Sequence, residues 1–197
     1  MVAKRYPLPL SGMRLVLASS SPRRAAILRA AGYDFEIRPS GTDEWPYPGG
    51  DPGEYTRSLA EAKAAEAGDG VGEVVVGADT VVVIDGSVLG KPGDPDEAAA
   101  MLRRLSGRTH EVVTGVAVRD GTGLRSGHAR TRLTLRALEE GEIRLYVATG
   151  EPLDKAGAYA YQGAAARFVT RVEGDADTVI GLPMALLREL LPPELRR

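Results

Sequence analysis

A polar segment after a short apolar run has the composition of a phosphate-binding loop. Residues 15–18 are apolar and predict a buried strand, and the letters SSSPRR follow at residues 19–24. Ser21 directly before proline is a typical N-cap, so the strand ends where a helix begins. Unpaired backbone N–H groups and the helix dipole favour an anion there, and Arg23 and Arg24 add donors that suit phosphate oxygens. A capped helix with solvated arginines is the alternative interpretation.

An acidic residue inside a hydrophobic run is the second candidate for chemistry. Asp79 lies within the apolar residues 74–83, and Thr80 follows it. An ionised carboxylate in apolar surroundings is costly unless a cation compensates it. A divalent cation or a lysine would do so, which makes Asp79 a candidate metal ligand or general base. The alternative is an aspartate that caps a turn where Gly77 interrupts the strand.

The few lysines and the single glutamine narrow the choice of ligand-binding side chains. Of 25 basic residues only four are lysines, and Lys91 lies in the constrained segment LGKP. Because most cationic positions use arginine, a retained lysine suggests a point charge aimed at a phosphate. Gln162 is the only carboxamide, since the chain has no asparagine, and it can donate and accept hydrogen bonds to a nucleobase edge. Surface lysines and an incidental glutamine remain the simpler alternatives.

Composition indicates an ordinary globular chain, with 43% hydrophobic and 26% charged residues in 197. One domain is expected over residues 13–197, after an N-terminal extension over residues 1–12 that we expect to be flexible. The chain has no apolar run of about 18 residues, the length that a membrane span needs. The first 13 residues are too polar for a signal peptide, which favours a cytoplasmic location and no membrane partner.

The absence of cysteine excludes disulfides, thiolate catalysis and zinc–thiolate sites. Only two histidines occur, so any metal should bind carboxylate oxygens, which suits Mg²⁺ or Mn²⁺. A net charge of −2 argues against a nucleic-acid partner. Arg130, Arg132 and Arg136 could form a basic stripe, but we interpret them as one solvated strand face.

Alternating helical and strand-like patterns predict a mixed α/β fold with no internal linker. Helices are expected over residues 22–31, 51–67, 94–106, 139–148 and 183–191. Strands are expected over residues 15–18, 33–38, 73–83, 109–118, 124–137 and 167–172. Asp51 followed by Pro52, with Glu54 three residues after the cap, indicates a capping box. Asp85-Gly86 and the segment 120–123 indicate hairpin turns, and residues 39–50 a Gly/Pro-rich loop.

Six ordered sequence blocks resemble the Maf family of nucleoside triphosphate pyrophosphatases, which is also linked to septum inhibition. The blocks are LASSSPRR at 17–24, GADTVV at 77–82, LGKP at 89–92, LRRLSGRTHEVVTGVAV at 102–118, EPLDKAGAY at 151–159 and GLP at 181–183. The resemblance implies a fold related to inosine triphosphate pyrophosphatases, with a mixed β-sheet, flanking helices and a cleft between two lobes. It also implies a frequent homodimer and metal-dependent hydrolysis of the α,β-phosphoanhydride to a nucleoside monophosphate and diphosphate.

The resemblance also implies roles for individual residues. It implies that Ser19, Arg23, Arg24, Lys63 and Lys91 bind phosphate. It implies that Asp79 is the proton acceptor and that Glu44 and Asp79 hold the metal. It implies that Gln162 selects the base.

Within the family, the chain is similar to the branch assigned to dTTP and UTP. Arg23, Arg24, Thr80 and Gln162 carry that similarity. One carboxamide can pair with both the O4 and the N3–H of uracil or thymine. The implied activity is removal of canonical or modified pyrimidine nucleotides from the nucleotide pool. The alternative is a nucleotide-sensing regulatory protein that acts through a partner, for instance in cell division.

Overall fold

The computed structural model describes residues 12–68 and 70–197, which form one mixed α/β arrangement. The expected flexible extension lies, apart from Gly12, outside the described residues. The strands are β1 (Arg14–Leu17), β2 (Glu36–Ile37), β3 (Glu73–Ile84), β4 (Ser87–Leu89), β5 (Thr109–Asp120), β6 (Gly123–Leu135) and β7 (Val169–Glu173). The α-helices are α1 (Pro22–Ala30), α2 (Pro52–Ala67), α3 (Pro95–Leu105), α4 (Glu140–Val147), α5 (Ala176–Ile180) and α6 (Met184–Leu190). Four short 3₁₀ turns complete the described elements, at Glu151–Asp154, Ala156–Ala158, Ala164–Phe168 and Pro193–Leu195.

The seven strands form one mixed sheet in the order β2-β1-β3-β5-β6-β7, with β4 paired to β3. β1 is parallel to both β2 and β3, whereas β3, β5, β6 and β7 pair antiparallel. The long strands β3 and β5 run through the middle of the sheet. Residues at their centre can therefore contribute to both halves of the molecule.

Helix α2 packs unusually close to the sheet because glycine lies beneath it on both central strands. A Cβ on Gly77 of β3 would lie 2.2 Å from the carbonyl oxygen of Ala60, and one on Gly115 of β5 would lie 2.3 Å from the backbone of Thr56. Small residues of α2, including Ala64, complete this interface. The close approach brings the next inward-facing residue of α2 within reach of β3.

Two further apolar clusters form the cores of the two lobes. The first lobe packs α1 and α6 against β1 and the first half of β3, with Leu17, Leu28 and Leu187 fully buried. The second packs α3 and α4 against the far end of β3 and against β5 and β6, around Leu102 and Phe168. The mixed sheet, the flanking helices and the two lobes confirm the expected fold class.

Most predicted helix boundaries are confirmed within one or two residues. The side chains of Ser21, Asp51 and Asp94 cap α1, α2 and α3, and each helix has proline in its first turn. The Asp85-Gly86 hairpin is also confirmed, since both residues have positive φ between β3 and β4. These features depend on local sequence, which explains why the sequence alone predicts them.

Two predictions and one alternative interpretation of local structure are wrong. β3 is not interrupted at residues 77–79, because Gly77 accommodates the helix above it rather than a bend. The strand expected over residues 33–38 shrinks to β2, since the N–H of Tyr33 closes helix α1 by donating to Leu28. No capping box forms at α2, because the Glu54 carboxylate accepts from Arg57 instead.

Helix α5 was not expected from the sequence, whereas α6 lies within one residue of the predicted 183–191 helix at each end. β7 begins two residues later than predicted because a 3₁₀ turn occupies Ala164–Phe168. None of the helices in the described part of the chain combines the length and the apolar character that a membrane crossing requires.

Candidate active site

A cleft of about 630 Å³ separates the two lobes. Every site residue predicted from the sequence lines it: Ser19, Arg23, Arg24, Glu44, Lys63, Asp79, Thr80, Lys91 and Gln162. These residues come from six separate segments of the chain. The fold brings them together in one cleft, which no single sequence motif could predict.

The phosphate loop runs from the end of β1 to the start of α1 and centres on Ser19. The Ser19 hydroxyl oxygen accepts the N–H of Ser21 at 3.2 Å and a guanidinium N–H of Arg24 at 3.0 Å. A hydroxyl oxygen has two acceptor positions and one proton. Since both acceptor positions are in use, the Ser19 proton is left to donate into the cleft, where a phosphate oxygen could accept it.

Arg24 is turned inward and braces the loop. Its Nε donates to the carbonyl oxygen of Gly181 at 2.8 Å, and its Nη2 donates to the hydroxyl of Thr80 at 3.2 Å. With the bond to Ser19, this guanidinium connects the loop, β3 and the turn after α5. Burial lowers the pKa of Arg24 below its usual value, and the charge of Asp79 opposes that change.

A buried ammonium group joins two carboxylates at the centre of the cleft. Lys63 Nζ lies 2.7 Å from Asp79 Oδ1 and 2.7 Å from Glu44 Oε1. Lys63 and Asp79 have 8% and 6% of their surface exposed, so this pair is shielded from water. Lys63 comes from α2 and Asp79 from β3. The close packing of α2 on Gly77 and Gly115 sets their separation.

Glu44 occupies the more exposed side of this cluster, on the loop before α2. Partial burial alone would raise the pKa of Glu44, but the hydrogen bond and charge of Lys63, with the charges of Lys91 and Arg24, lower it overall. The carboxylate is therefore ionised near neutral pH. Burial, followed by the charges of Asp79 and Glu44, raises the pKa of Tyr55 on the same wall, which keeps that phenol neutral.

The acids present suit a magnesium or manganese ion only with help from a substrate. Within residues 12–68 and 70–197, no group of three acidic or imidazole side chains converges to hold a metal. Glu44 and Asp79 each use one oxygen for Lys63, and their second oxygens accept no hydrogen bond from the described residues. Mg²⁺ commonly binds one or two carboxylates together with substrate phosphates. The two acids fit that mode.

The remaining predicted residues lie on the exposed rim. Lys91 has 61% of its side chain exposed, and its Nζ lies 3.8 Å from Glu44 Oε1. Arg23 is half-buried, 3.9 Å from the carboxylate of Asp154. Gln162 is exposed on the second lobe. These side chains can meet a substrate without first breaking a buried contact.

Trp45 and Lys155 also line the cleft, although the sequence did not single them out. Trp45, the only tryptophan, is 40% exposed on the rim, and its carbonyl oxygen accepts the hydroxyl of Tyr55 at 2.7 Å. Lys155 lies in the wall with 12% of its side chain exposed. Membership of the small set of lysines could have identified Lys155, and its place next to Glu44 could have identified Trp45.

The arginines considered as a basic stripe are paired with acids. Arg130 contacts Asp51 and Glu111, and Arg132 also contacts Glu111. Arg136 forms a hydrogen-bonded pair with Glu142 at 2.6 Å. Pairing offsets the positive charge that a nucleic acid would need, which supports the interpretation of these side chains as a solvated face.

Comparison with known proteins places this architecture in a family. The family model described as "Maf-like protein" matches residues 14–193. A protein of Pelotomaculum thermopropionicum named dTTP/UTP pyrophosphatase is 52% identical over 180 residues, which cover 90% of this chain and 94% of that protein. One of Moorella thermoacetica with the same name is 51% identical over 181 residues, covering 90% and 93%.

A crystal structure of a nucleoside-triphosphatase / dITP/XTP pyrophosphatase from Mycobacterium abscessus matches at 18% identity and a TM-score of 0.40, over 64% of this chain and 76% of that one. That likeness is too limited to add to the assignment. The relatives align with 90% of this chain, and the family model includes every segment that lines the cleft. The chain therefore belongs to the Maf family.

Proposed function

We propose that the chain is a nucleoside triphosphate pyrophosphatase that hydrolyses dTTP and UTP, and related modified pyrimidine nucleotides, to the monophosphate and diphosphate. The observation that carries the proposal is the Lys63 ammonium between Asp79 and Glu44, in the same cleft as the Ser19 loop. Relatives 51–52% identical over 90% of this chain bear the name dTTP/UTP pyrophosphatase.

The triphosphate is bound between the loop and the rim lysine. The Ser19 hydroxyl and the Arg23 guanidinium donate to phosphate oxygens from one side, and the ammonium of Lys91 approaches from the other. Arg24 supports them from behind through its bond to Ser19. These donors stabilise the charge that accumulates on the leaving diphosphate as the anhydride breaks.

Asp79 accepts the proton of the attacking water. Lys63 holds one oxygen of this carboxylate at 2.7 Å and leaves the other for a water molecule. The water oxygen forms a bond to the α-phosphorus while the bond from that phosphorus to the α,β-bridging oxygen breaks. The water proton passes to Asp79, and the diphosphate leaves with the bridging oxygen and its electron pair. The ammonium of Lys63 holds Asp79 in place before that transfer.

A divalent cation, Mg²⁺ or Mn²⁺, would be held by Glu44 and Asp79 together with phosphate oxygens. When bound, such an ion would neutralise charge on the phosphates and help to activate a water molecule. Glu44 is suited to this task because its carboxylate is ionised and half-exposed on a loop. The loop position allows Glu44 to move toward a metal while Asp79 stays fixed on β3.

Gln162 and Thr80 are proposed to contribute to base selection in different ways. The Gln162 carboxamide can accept from N3–H and donate to O4 of uracil or thymine. Thr80 acts at a distance, because its hydroxyl is committed to Arg24. Gln162 is therefore the residue that would contact the base directly.

The first experiment is incubation with a panel of nucleoside triphosphates and Mg²⁺ or Mn²⁺, with diphosphate separated from single phosphate. The proposal predicts monophosphate and diphosphate from UTP and dTTP, and little turnover of purine nucleotides. Release of single phosphate would contradict the reaction. Tight binding of nucleotides without any turnover would instead favour a sensor that acts through a partner.

The location and the assembly also belong to the proposal. We infer a cytoplasmic enzyme, because its substrates would be drawn from the cellular nucleotide pool. We also infer the homodimer that the family resemblance implies. Sedimentation of the purified chain, with and without nucleotide, tests the second inference, and a monomer under both conditions would overturn it.

A further inference from the structure

A row of hydrogen-bonded groups, two threonine hydroxyls and one carbonyl, lies directly behind Arg24. Thr80 on β3 and Thr114 on β5 are opposite one another in the sheet register, and their hydroxyl oxygens are 3.0 Å apart. Thr114 is fully buried and donates to the carbonyl oxygen of Thr178 in α5 at 2.7 Å. Arg24 donates to Thr80 at 3.2 Å, so the row begins at the phosphate loop and ends on α5.

The direction of every bond in this row follows from counting protons. A carbonyl oxygen can only accept, so the single hydroxyl proton of Thr114 is used on Thr178. Thr80 must then donate its own proton to Thr114. The oxygen of Thr80 therefore presents lone pairs, not a proton, to the guanidinium of Arg24. Bonds aligned in this way also polarise one another.

We propose that Thr114 is a positioning residue for Arg24, and through Arg24 for the Ser19 loop. Without the Thr114 hydroxyl, the proton of Thr80 loses its acceptor and can turn toward Arg24, which has only protons to offer. One of the three anchors of the guanidinium is then weakened, while the bonds to Gly181 and Ser19 remain. The kinetic part of this proposal rests on the proposed function, because it takes the Ser19 loop to bind phosphate.

The chain supplies a matched control in Thr131. This residue lies on the neighbouring strand β6, is 1% exposed, and donates its hydroxyl to the carbonyl oxygen of Asp175, which precedes α5. Replacing Thr131 by valine therefore removes the same kind of buried bond to the same end of the fold. It leaves the row behind Arg24 intact.

The direct test is the guanidinium NMR spectrum of Arg24, assigned with Arg24→Lys. In the native protein we expect separate Nη resonances, because both Nη groups hold partners and rotation about the Nε–Cζ bond is slow. In Thr114→Val we expect faster rotation and merging of these resonances, whereas Thr131→Val and Thr114→Ser keep them apart. This measurement needs no turnover. It therefore tests whether Thr114 positions Arg24 even if the chain hydrolyses no triphosphate.

The kinetic test uses the same variants with UTP. We expect Thr114→Val to lower kcat/KM by about 10- to 100-fold, a loss typical of a slightly misplaced catalytic constellation. Most of the loss should fall on kcat, because the loop meets the largest charge in the transition state. Thr114→Ser should restore most of the rate, and Thr131→Val should lose none of it at a similar cost in melting temperature.

Two results would overturn the proposal. One is a Thr131→Val variant that changes the Arg24 resonances as much as Thr114→Val does, since the effect would then be a general loosening. The other is an unchanged Arg24 spectrum in Thr114→Val. Should that variant not fold, hydroxyl exchange in the native protein decides: a Thr80 proton that exchanges rapidly with water contradicts its donation to Thr114.

Discussion

The two sides of the cleft differ in how their charged residues are held. On the inner side, Lys63 and Asp79 lie on α2 and β3, are almost fully buried and contact each other at 2.7 Å. On the outer side, Lys91, Glu44 and Gln162 lie on loops or turns and are exposed. The inner pair is preorganised by the packing of secondary structure, and the outer set is free to adjust to a ligand.

This difference separates two tasks. A proton acceptor must keep its geometry through the reaction, and a rigid, water-excluding setting provides that. Substrate recognition requires entry and release, which exposed side chains on loops allow. Substitutions on the inner side should therefore change the chemical step or the fold, and those on the outer side should change affinity and selectivity.

The largest effect is expected for Asp79→Asn. The amide cannot accept the water proton as a carboxylate does, so kcat for UTP should fall by roughly 10²- to 10⁴-fold. Asp154→Asn is the matched control, because it removes the same charge from an exposed position that also lines the cleft. Steady-state kinetics in which both variants lose activity equally would mean that Asp79 acts only as a general charge.

Gly77→Ala tests whether the close helix–sheet contact sets the inner geometry. The new Cβ would lie 2.2 Å from the carbonyl oxygen of Ala60, so α2 must move away from β3. We expect a loss of stability of about 3 kcal/mol, as for severe overpacking, and a lower kcat because Lys63 moves with the helix. Gly121→Ala, where a Cβ meets nothing within 4 Å, is the control for thermal unfolding.

Buried His110 makes the stability of the protein depend on pH. Its Nε2 lies 2.7 Å from the hydroxyl of Tyr159, a cleft-lining residue, and burial lowers its pKa from 6.5 to about 4. The unfolded chain therefore binds the extra proton first as pH falls. The contribution of His110 to the free energy of unfolding should be fully present above pH 6.5. It should decrease by roughly 3 kcal/mol as the pH falls to 4.

Chemical denaturation across this pH window, compared with His110→Gln, measures the contribution. The glutamine variant should show a flatter stability profile between pH 6.5 and 4, because the group that titrates is gone. An identical slope in both proteins would assign the acid sensitivity to other groups.

The smallest effect is expected on the outer side, for Gln162→Glu. A glutamate keeps an acceptor for N3–H but has no donor for O4, so kcat/KM for UTP should fall by about 10-fold. Inhibition by inorganic tripolyphosphate, which has no base, should be unchanged. A parallel loss of tripolyphosphate affinity would place Gln162 in phosphate binding and not in base selection.

Local sequence predicted the helix starts and turns well, because their determinants lie within a few residues. Ser21, Asp51 and Asp94 each cap a helix as expected. The alternative interpretation of a turn at Gly77 is wrong for the opposite reason. What Gly77 accommodates is the backbone of Ala60, a contact across the fold that the neighbouring residues do not reveal.

The site likewise combines features that the local sequence predicts with contacts that only the fold reveals. Residue types and the family resemblance selected nine residues that line one cleft, although their individual roles stay predictions. The sequence pattern could not show that Lys63 joins Asp79 to Glu44, or that Arg24 faces inward to Thr80 and Gly181. These contacts depend on the relative placement of α2, β3 and α5.

Hydrolysis of UTP in ¹⁸O-labelled water tests the central claim most directly. If water held by Asp79 attacks the α-phosphorus, the products are UMP and diphosphate, and mass spectrometry finds the ¹⁸O in UMP alone. Label in the diphosphate would mean attack at the β-phosphorus, and UDP with single phosphate would mean cleavage of the other anhydride. Either result would contradict the proposed arrangement of loop, lysine and acid around the α-phosphate.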